Sequence, residues 1–314
     1  VTSIIEETTV KRQHIGENFA LYNVDNIDGI KGIKDDSIHY CIYSPPFISL
    51  FTYSDHPRDI GNCTTDDEFY EHFGYLVKEL YRVMMPGRDM SVHCMDLPTS
   101  KQRDGVIGLK DFRGILIKIM QDAGFIYHSQ VCIWKDPVVA MQRTKALGLL
   151  WKQLKKDSTM SRQGLPDYVI TFRKPGDNPE PVSHTAEEYP VDKWQRIASP
   201  IWMDITQGNT LQRESAREET DERHIAPLQL EVIERCIELW SNPGDIVLDP
   251  FVGIGSSVYQ ALLMGRRGIG FELKDSYYDQ AVLNCKRAES NAKAPQVGLD
   301  KWVGTNTEQK TLEV

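Results

Sequence analysis

The sequence predicts an α/β fold built on a mostly parallel central sheet. Two observations carry that prediction. The first lies near the C-terminus. Ile246-Val247-Leu248-Asp249 reads as a buried strand running into the glycine-rich turn Pro250-Phe251-Val252-Gly253-Ile254-Gly255. A helix over residues 258–264 and a second strand over 268–272 complete a βαβ unit. The second observation is the alternation of strand-like and helix-like runs through the first half of the chain, as parallel sheets require.

Taken in order, residues 15–23 read as a first strand or an entry segment, and Asp25 to Gly29 as a turn into a short connection. Asp35-Asp36-Ser37 is a turn signal before a strand over 38–43. Ser44-Pro45-Pro46-Phe47 ends that strand, because neither proline has an N–H to give a ladder. Residues 48–64 are polar and aperiodic, which predicts a loop beside the strand end. Thr65 caps a helix with Asp66 and Asp67 in its first turn. Phe69, Phe73, Leu76, Val77, Leu80 and Val83 recur at helical spacing, and Met85-Pro86-Gly87 stops the run. A strand over 90–95 and an amphipathic helix over 112–122, closed by Ala123-Gly124, follow. Strands over 125–134 and 168–173 flank a basic stretch. From 175 to 223 the chain is rich in Pro, Glu and Thr, with aromatic patches at Trp194 and Trp202. In a helix over 228–241, Leu230, Ile233, Ile237 and Trp240 form an apolar stripe that reads as core. Beyond about residue 288 the composition predicts a mobile polar tail.

A length of 314 residues suits one large domain or a domain with a smaller module. No apolar run approaches the roughly 20 residues that span a bilayer. Six scattered cysteines without a Cys-x-x-Cys pair argue against zinc and predict no metal. They fit a reducing, cytoplasmic setting. The net charge of −9 argues against a general polyanion binder. The balance is local, however. Residues 137–166 carry six bases, Arg143, Lys145, Lys152, Lys155, Lys156 and Arg162, against the single acid Asp157. One basic patch on an acidic protein suffices to meet a phosphate backbone. A solvated helix face is the bland alternative.

The glycine turn after Asp249 allows close approach of a ligand to backbone. Glu272 stands 23 residues after Asp249, where a ribose-binding acid belongs in such units. No Gly-Lys-Ser/Thr follows, so this is not a P-loop, and the third glycine of a dinucleotide fingerprint is replaced by Val258. A cofactor with ribose but no pyrophosphate fits, S-adenosyl-L-methionine foremost. The Ser44-Pro45-Pro46-Phe47 turn aims a hydroxyl, a backbone carbonyl and an aromatic face at one point, as a flat base with an exocyclic amine requires.

Together these motifs resemble those of the DNA amino-methyltransferases that act on cytosine N4 or adenine N6. Asp249-Pro250-Phe251-Val252-Gly253-Ile254-Gly255-Ser256 resembles their cofactor motif, and Ser44-Pro45-Pro46-Phe47 their catalytic motif. His224-Ile225-Ala226-Pro227 resembles the segment before the cofactor strand. The catalytic-first order resembles the permuted β group. The resemblance covers most of residues 18–290. It implies a Rossmann-like methyltransferase fold with circularly permuted motifs and a small inserted DNA-recognition region.

The implied divisions are a catalytic half over 1–175 with a basic insertion at 136–167, a target-recognition or cover region over 176–223, a cofactor half over 224–290, and a flexible tail over 291–314. Ser44, Pro45, Pro46 and Phe47 would hold and stack the flipped base. Asp25, His224, Asp249, Pro250, Phe251, Gly253, Gly255, Ser256 and Glu272 would hold S-adenosyl-L-methionine. The basic residues of 137–166 would meet double-stranded DNA. Serine in the first motif position leans the target to cytosine N4 over adenine N6. The resemblance admits an RNA or protein amine as substrate and an inactive cofactor-binding module. It also admits a homodimer, a restriction partner and a fused or associated nuclease or helicase.

Overall fold

The computed structural model describes residues 10–47, 60, 63, 65–139, 151–211 and 227–291. Among these, nine strands form one sheet: β1 (Arg12–Ile15), β2 (Phe19–Asn23), β3 (Tyr40–Tyr43), β4 (Asp89–Cys94), β7 (Ile126–Ile133), β8 (Asp167–Arg173), β9 (Ile201–Trp202), β10 (Ile246–Asp249) and β11 (Arg267–Glu272). β5 (Leu97–Thr99) and β6 (Gly108–Lys110) make a separate hairpin that the sequence pattern does not announce. The spatial order is β1-β2-β11-β10-β3-β4-β8-β7-β9. The centre, from β2 to β4, is parallel, and β8 runs against it.

The expected single strand over 15–23 is instead a hairpin. The Gly16 N–H donates to the Phe19 carbonyl at 2.7 Å, and a Cβ on Gly16 would lie 2.6 Å from the Phe19 ring. That tight turn splits the run into antiparallel β1 and β2.

Helices cover both faces of the sheet. α1 (Asn26–Lys31), α2 (Asp66–Val83) and α4 (Phe112–Asp122) pack on one side. α7 (Leu230–Trp240), α8 (Ser256–Leu263) and α9 (Asp275–Asn291) pack on the other. The short helices α3 (Lys101–Asp104), α5 (Trp151–Leu154) and α6 (Val191–Ile197) lie in connections. β3 shows why its sequence is a continuous apolar run. Cys41 and Tyr43 face one core, Tyr40 and Ile42 the other, and all four are buried. All six apolar positions expected in α2 are buried, and the Thr65 hydroxyl accepts from the Glu68 N–H at 3.2 Å.

β10 comes late in the chain yet pairs with β3, Val247 against Tyr40 and Leu248 against Cys41. From β3 the chain crosses through α2 to β4 on one side. From β10 it crosses through α8 to β11 on the other. The crossovers diverge, so a crevice opens at the carboxyl ends of β3 and β10.

The opposite edge is closed by polar contacts. The buried Arg88 guanidinium donates to the His39 carbonyl at 2.9 Å and to the Glu180 carbonyl at 2.7 Å, and pairs with Asp245. Residues 178–181 therefore cover the edge remote from the crevice. No helix among the described residues is long and apolar enough to cross a membrane.

Candidate active site

The crevice is walled by the ends of β10, β11, β2 and β3. Asp249 ends β10 and is fully buried. Its Oδ1 accepts from the Phe251 N–H at 2.9 Å, and its Oδ2 from the Ser257 hydroxyl. Burial pushes its carboxyl up to about 7, although both hydrogen bonds favour the charged form. Asp249 thus braces the turn from beneath. Gly253 and Gly255 have φ of +54° and +95°, a region that disfavours side chains. Gly255 precedes α8, and Ser256 is the first residue of that helix.

Glu272 ends β11. One carboxylate oxygen accepts from the Gly253 N–H at 2.9 Å, the other from the Lys274 N–H at 2.8 Å. These bonds aim the carboxylate across the crevice. A carboxylate oxygen can accept more than one hydrogen bond, so the anchored group can still take hydroxyls. Asp25 caps α1, with Oδ1 accepting from Ile27 and Asp28 N–H groups at 3.0 and 3.3 Å. The turn role is the one seen, and the capped helix start forms one wall of the crevice. Asn26 donates to the Pro250 carbonyl at 3.2 Å and ties that wall to the glycine turn.

Ser44, Pro45, Pro46 and Phe47 form the facing wall. The Phe47 ring packs on Phe112 at 5.9 Å between centroids and is mostly buried. Phe251 packs on Tyr43 and Phe73 at 5.7 and 6.4 Å while also lining the crevice. Ser44 Oγ lies 2.8 Å from His93 Nδ1. His93 Nε2 lies 3.3 Å from Asp167 Oδ2, and Lys135 pairs with the other oxygen of Asp167. Burial alone would raise the Asp167 carboxyl. Lys135 and His93 outweigh burial and hold it below the usual carboxylate value.

Of the expected cofactor residues, Asp25, Asp249, Pro250, Phe251, Gly253, Ser256 and Glu272 line this one crevice together with the four motif residues. Gly255 shapes the turn from behind, against Ala281 and Cys285. His224, Arg143 and Lys145 lie outside the described residues. Lys152, Lys155 and Lys156 are exposed, with the Lys155 ammonium over the Trp151 ring at 5.5 Å. Arg162 is half-buried and donates to the Gln163 carbonyl at 3.1 Å.

Sequence reasoning missed Asn26, Lys274 and Tyr277, which also line the crevice, and the trio His93, Asp167 and Lys135. For the trio the available signal was position. His93 sits at the carboxyl end of the strand next to β3, and Asp167 opens the strand paired with it.

The residues fit an adenosine-bearing cofactor. A carboxylate that could accept hydroxyls lines the crevice, a glycine turn admits close approach, and apolar walls supply a bed for a flat ring. The chain matches the N6/N4 DNA methylase family model over residues 38–283. It belongs to that family. Its sequence is 22% identical, over 85% of this chain and 90% of the relative, to the type II methyltransferase M.MjaI of Methanocaldococcus jannaschii. A shorter stretch, 22% of this chain and 26% of the relative, is 40% identical to M1.MboII of Moraxella bovis.

Solved DNA methylases share the fold. A putative DNA modification methylase from Thermus thermophilus, complexed with S-adenosyl-L-methionine, superposes with a TM-score of 0.62 at 21% identity, covering 84% of this chain and 93% of that one. The cytosine-N4-specific PvuII DNA methyltransferase gives a TM-score of 0.62 at 18% identity, covering 86% and 90%. The Rossmann-like methyltransferase fold expected from the sequence is the one observed.

Proposed function

We propose that this DNA methylase transfers the methyl group of S-adenosyl-L-methionine to the exocyclic N4 amine of a cytosine flipped out of double-stranded DNA. The observation that carries the reading is the meeting of the Ser44-Pro45-Pro46-Phe47 turn and the Glu272-braced glycine turn in one crevice. The cofactor supplies an electrophilic methyl on a sulfonium, and the residues supply placement.

Glu272 takes the ribose hydroxyls, and the turn from Asp249 to Ser256 holds the rest of the cofactor. The amine's lone pair is delocalised into the base and must be turned toward the methyl. Ser44 Oγ and the Pro45 carbonyl accept the two amino hydrogens and hold them out of the ring plane. Phe47 offers an apolar surface to the base. Extruding the base costs a few kcal/mol, which binding must supply.

The choice of cytosine rests on serine at the first motif position. A neutral hydroxyl stands there instead of a carboxylate.

DNA contact is assigned to the basic segment between β7 and β8. β8 is antiparallel to both β4 and β7, so the β7–β8 connection leaves the sheet at the edge that carries Ser44. Exposed Lys152, Lys155 and Lys156 lie in it.

The test is methyl transfer from labelled S-adenosyl-L-methionine to unmethylated duplex DNA, followed by nucleoside digestion and mass spectrometry. N4-methylcytosine is expected. N6-methyladenine would overturn the base and keep the crevice roles. No methylated nucleoside, with cofactor bound, would overturn DNA as the substrate.

A further inference from the structure

We propose that His93, held by Asp167 and Lys135, fixes Ser44 as a hydrogen-bond acceptor toward the target amine and takes up the proton which that amine sheds. The inference rests on the proposed function above.

The protonation pattern follows from the outer end inward. Asp167 is buried, paired with Lys135 and held ionised, so its oxygens only accept. His93 Nε2 is buried 3.3 Å from Oδ2 in a charge contact that falls short of hydrogen-bond geometry, and the ionised carboxylate favours the tautomer with its hydrogen on that nitrogen. A neutral imidazole then has its lone pair on Nδ1. Ser44 Oγ, 2.8 Å away, must donate its hydrogen to that lone pair. Both lone pairs of the hydroxyl are left for the crevice. A free serine hydroxyl could equally turn its hydrogen toward the base and repel an amino N–H. This one cannot do so without breaking the bond to His93.

The same chain solves a proton balance. As the new C–N bond forms, the methyl–sulfur bond breaks and the sulfonium becomes a neutral sulfide. The amine nitrogen gains the positive charge and has one N–H too many. That proton passes to Ser44 Oγ while the serine's own hydrogen passes to His93 Nδ1. The amine is neutral, serine is unchanged and imidazole is imidazolium. Asp167, 3.3 Å away, offsets the new charge in a site where His93 is only 9% exposed. After the product leaves, the proton returns through Ser44 to solvent. Lys135 has a different task. It pairs with the buried carboxylate and holds it ionised.

A purely structural role would be the filling of a polar gap between β3, β4 and β8. Two measurements separate the readings. The first uses the wild-type protein labelled with 15N-histidine, with no ligand. His93→Asn identifies the His93 signals among the eight histidines. The 15N shifts should show a protonated Nε2 and a bare Nδ1. A hydrogen on Nδ1 would overturn the proposal.

The second is the single-turnover rate of His93→Asn. Asn offers an amide oxygen near the place of Nδ1, so Ser44 keeps an acceptor, but the amide takes no proton. Methyl transfer should fall by about 100-fold or more. Cofactor affinity, DNA affinity and melting temperature should stay near wild type. A wild-type rate in this variant would overturn the proton role. A wild-type protein that binds cofactor but methylates no DNA would overturn the proposed function and remove the relay's substrate. The tautomer measurement needs neither DNA nor turnover, so the two failures are distinguishable.

Discussion

Ser44 and Glu272 sit in the same crevice but on the proposed function act on different partners, so their variants should fail differently. Ser44→Ala removes one acceptor for the amine and leaves the glycine turn intact. Single-turnover transfer should drop by about 100-fold or more, with cofactor affinity unchanged by calorimetry. Glu272→Ala also frees the Gly253 and Lys274 N–H groups. Cofactor affinity should weaken by about tenfold or more. Asp249 makes a pH prediction. Its folded carboxyl is raised to about 7 from 3.8, so the native state binds the extra proton in that window. Stability from this group is present below pH 3.8 and is lost as pH rises toward 7. Asp249→Asn should flatten the fall of melting temperature across that window. The motif residues were legible in the sequence because each turn directly follows its strand and Glu272 stands at a fixed βαβ spacing from Asp249. His93 and Asp167 were not, because they come from separate strands and each looks like an ordinary strand-end polar residue.

At the scale of elements, α2 and the βαβ unit were readable because their signals are local. The α2 stripe repeats at helical spacing, and the glycine turn follows an unbroken apolar strand. The β1–β2 hairpin was misread because its turn depends on one close contact, Gly16 against Phe19, within a run of strand-forming residues. The start of α8 shows how tight packing adds to a backbone demand. A Cβ on Gly255, already at φ +95°, would lie 3.2 Å from the Ala281 Cα. Gly255→Ala should cost about 1–3 kcal/mol in denaturant unfolding and also lower cofactor affinity, because strain and contact act on the same turn.

At the scale of the whole molecule, charge is segregated. The chain is acidic overall, while the connection between β7 and β8 is basic and leaves from the reactive edge. Reversing Lys152, Lys155 and Lys156 to Glu should weaken duplex binding. The slope of log affinity against log salt should fall by about one for each phosphate that the variant no longer neutralises. Folding should be unaffected, since all three are exposed. A full salt slope in the triple variant would move the DNA contact elsewhere. The acidic segment after β8 divides in space. Its 178–181 stretch closes the remote edge, and β9 then returns to pair with β7.

The sequence by itself determined the fold class, the two motifs and the acid at the end of β11. Each is encoded within a short window by periodicity, turn chemistry or a fixed βαβ spacing. Only the tertiary structure decided which distant groups meet. The pairing of β10 with β3 sets the two motifs face to face across about two hundred residues, and the packing of β4 against β8 sets His93 and Asp167 behind Ser44. Such contacts depend on strand order and register, which local sequence does not contain.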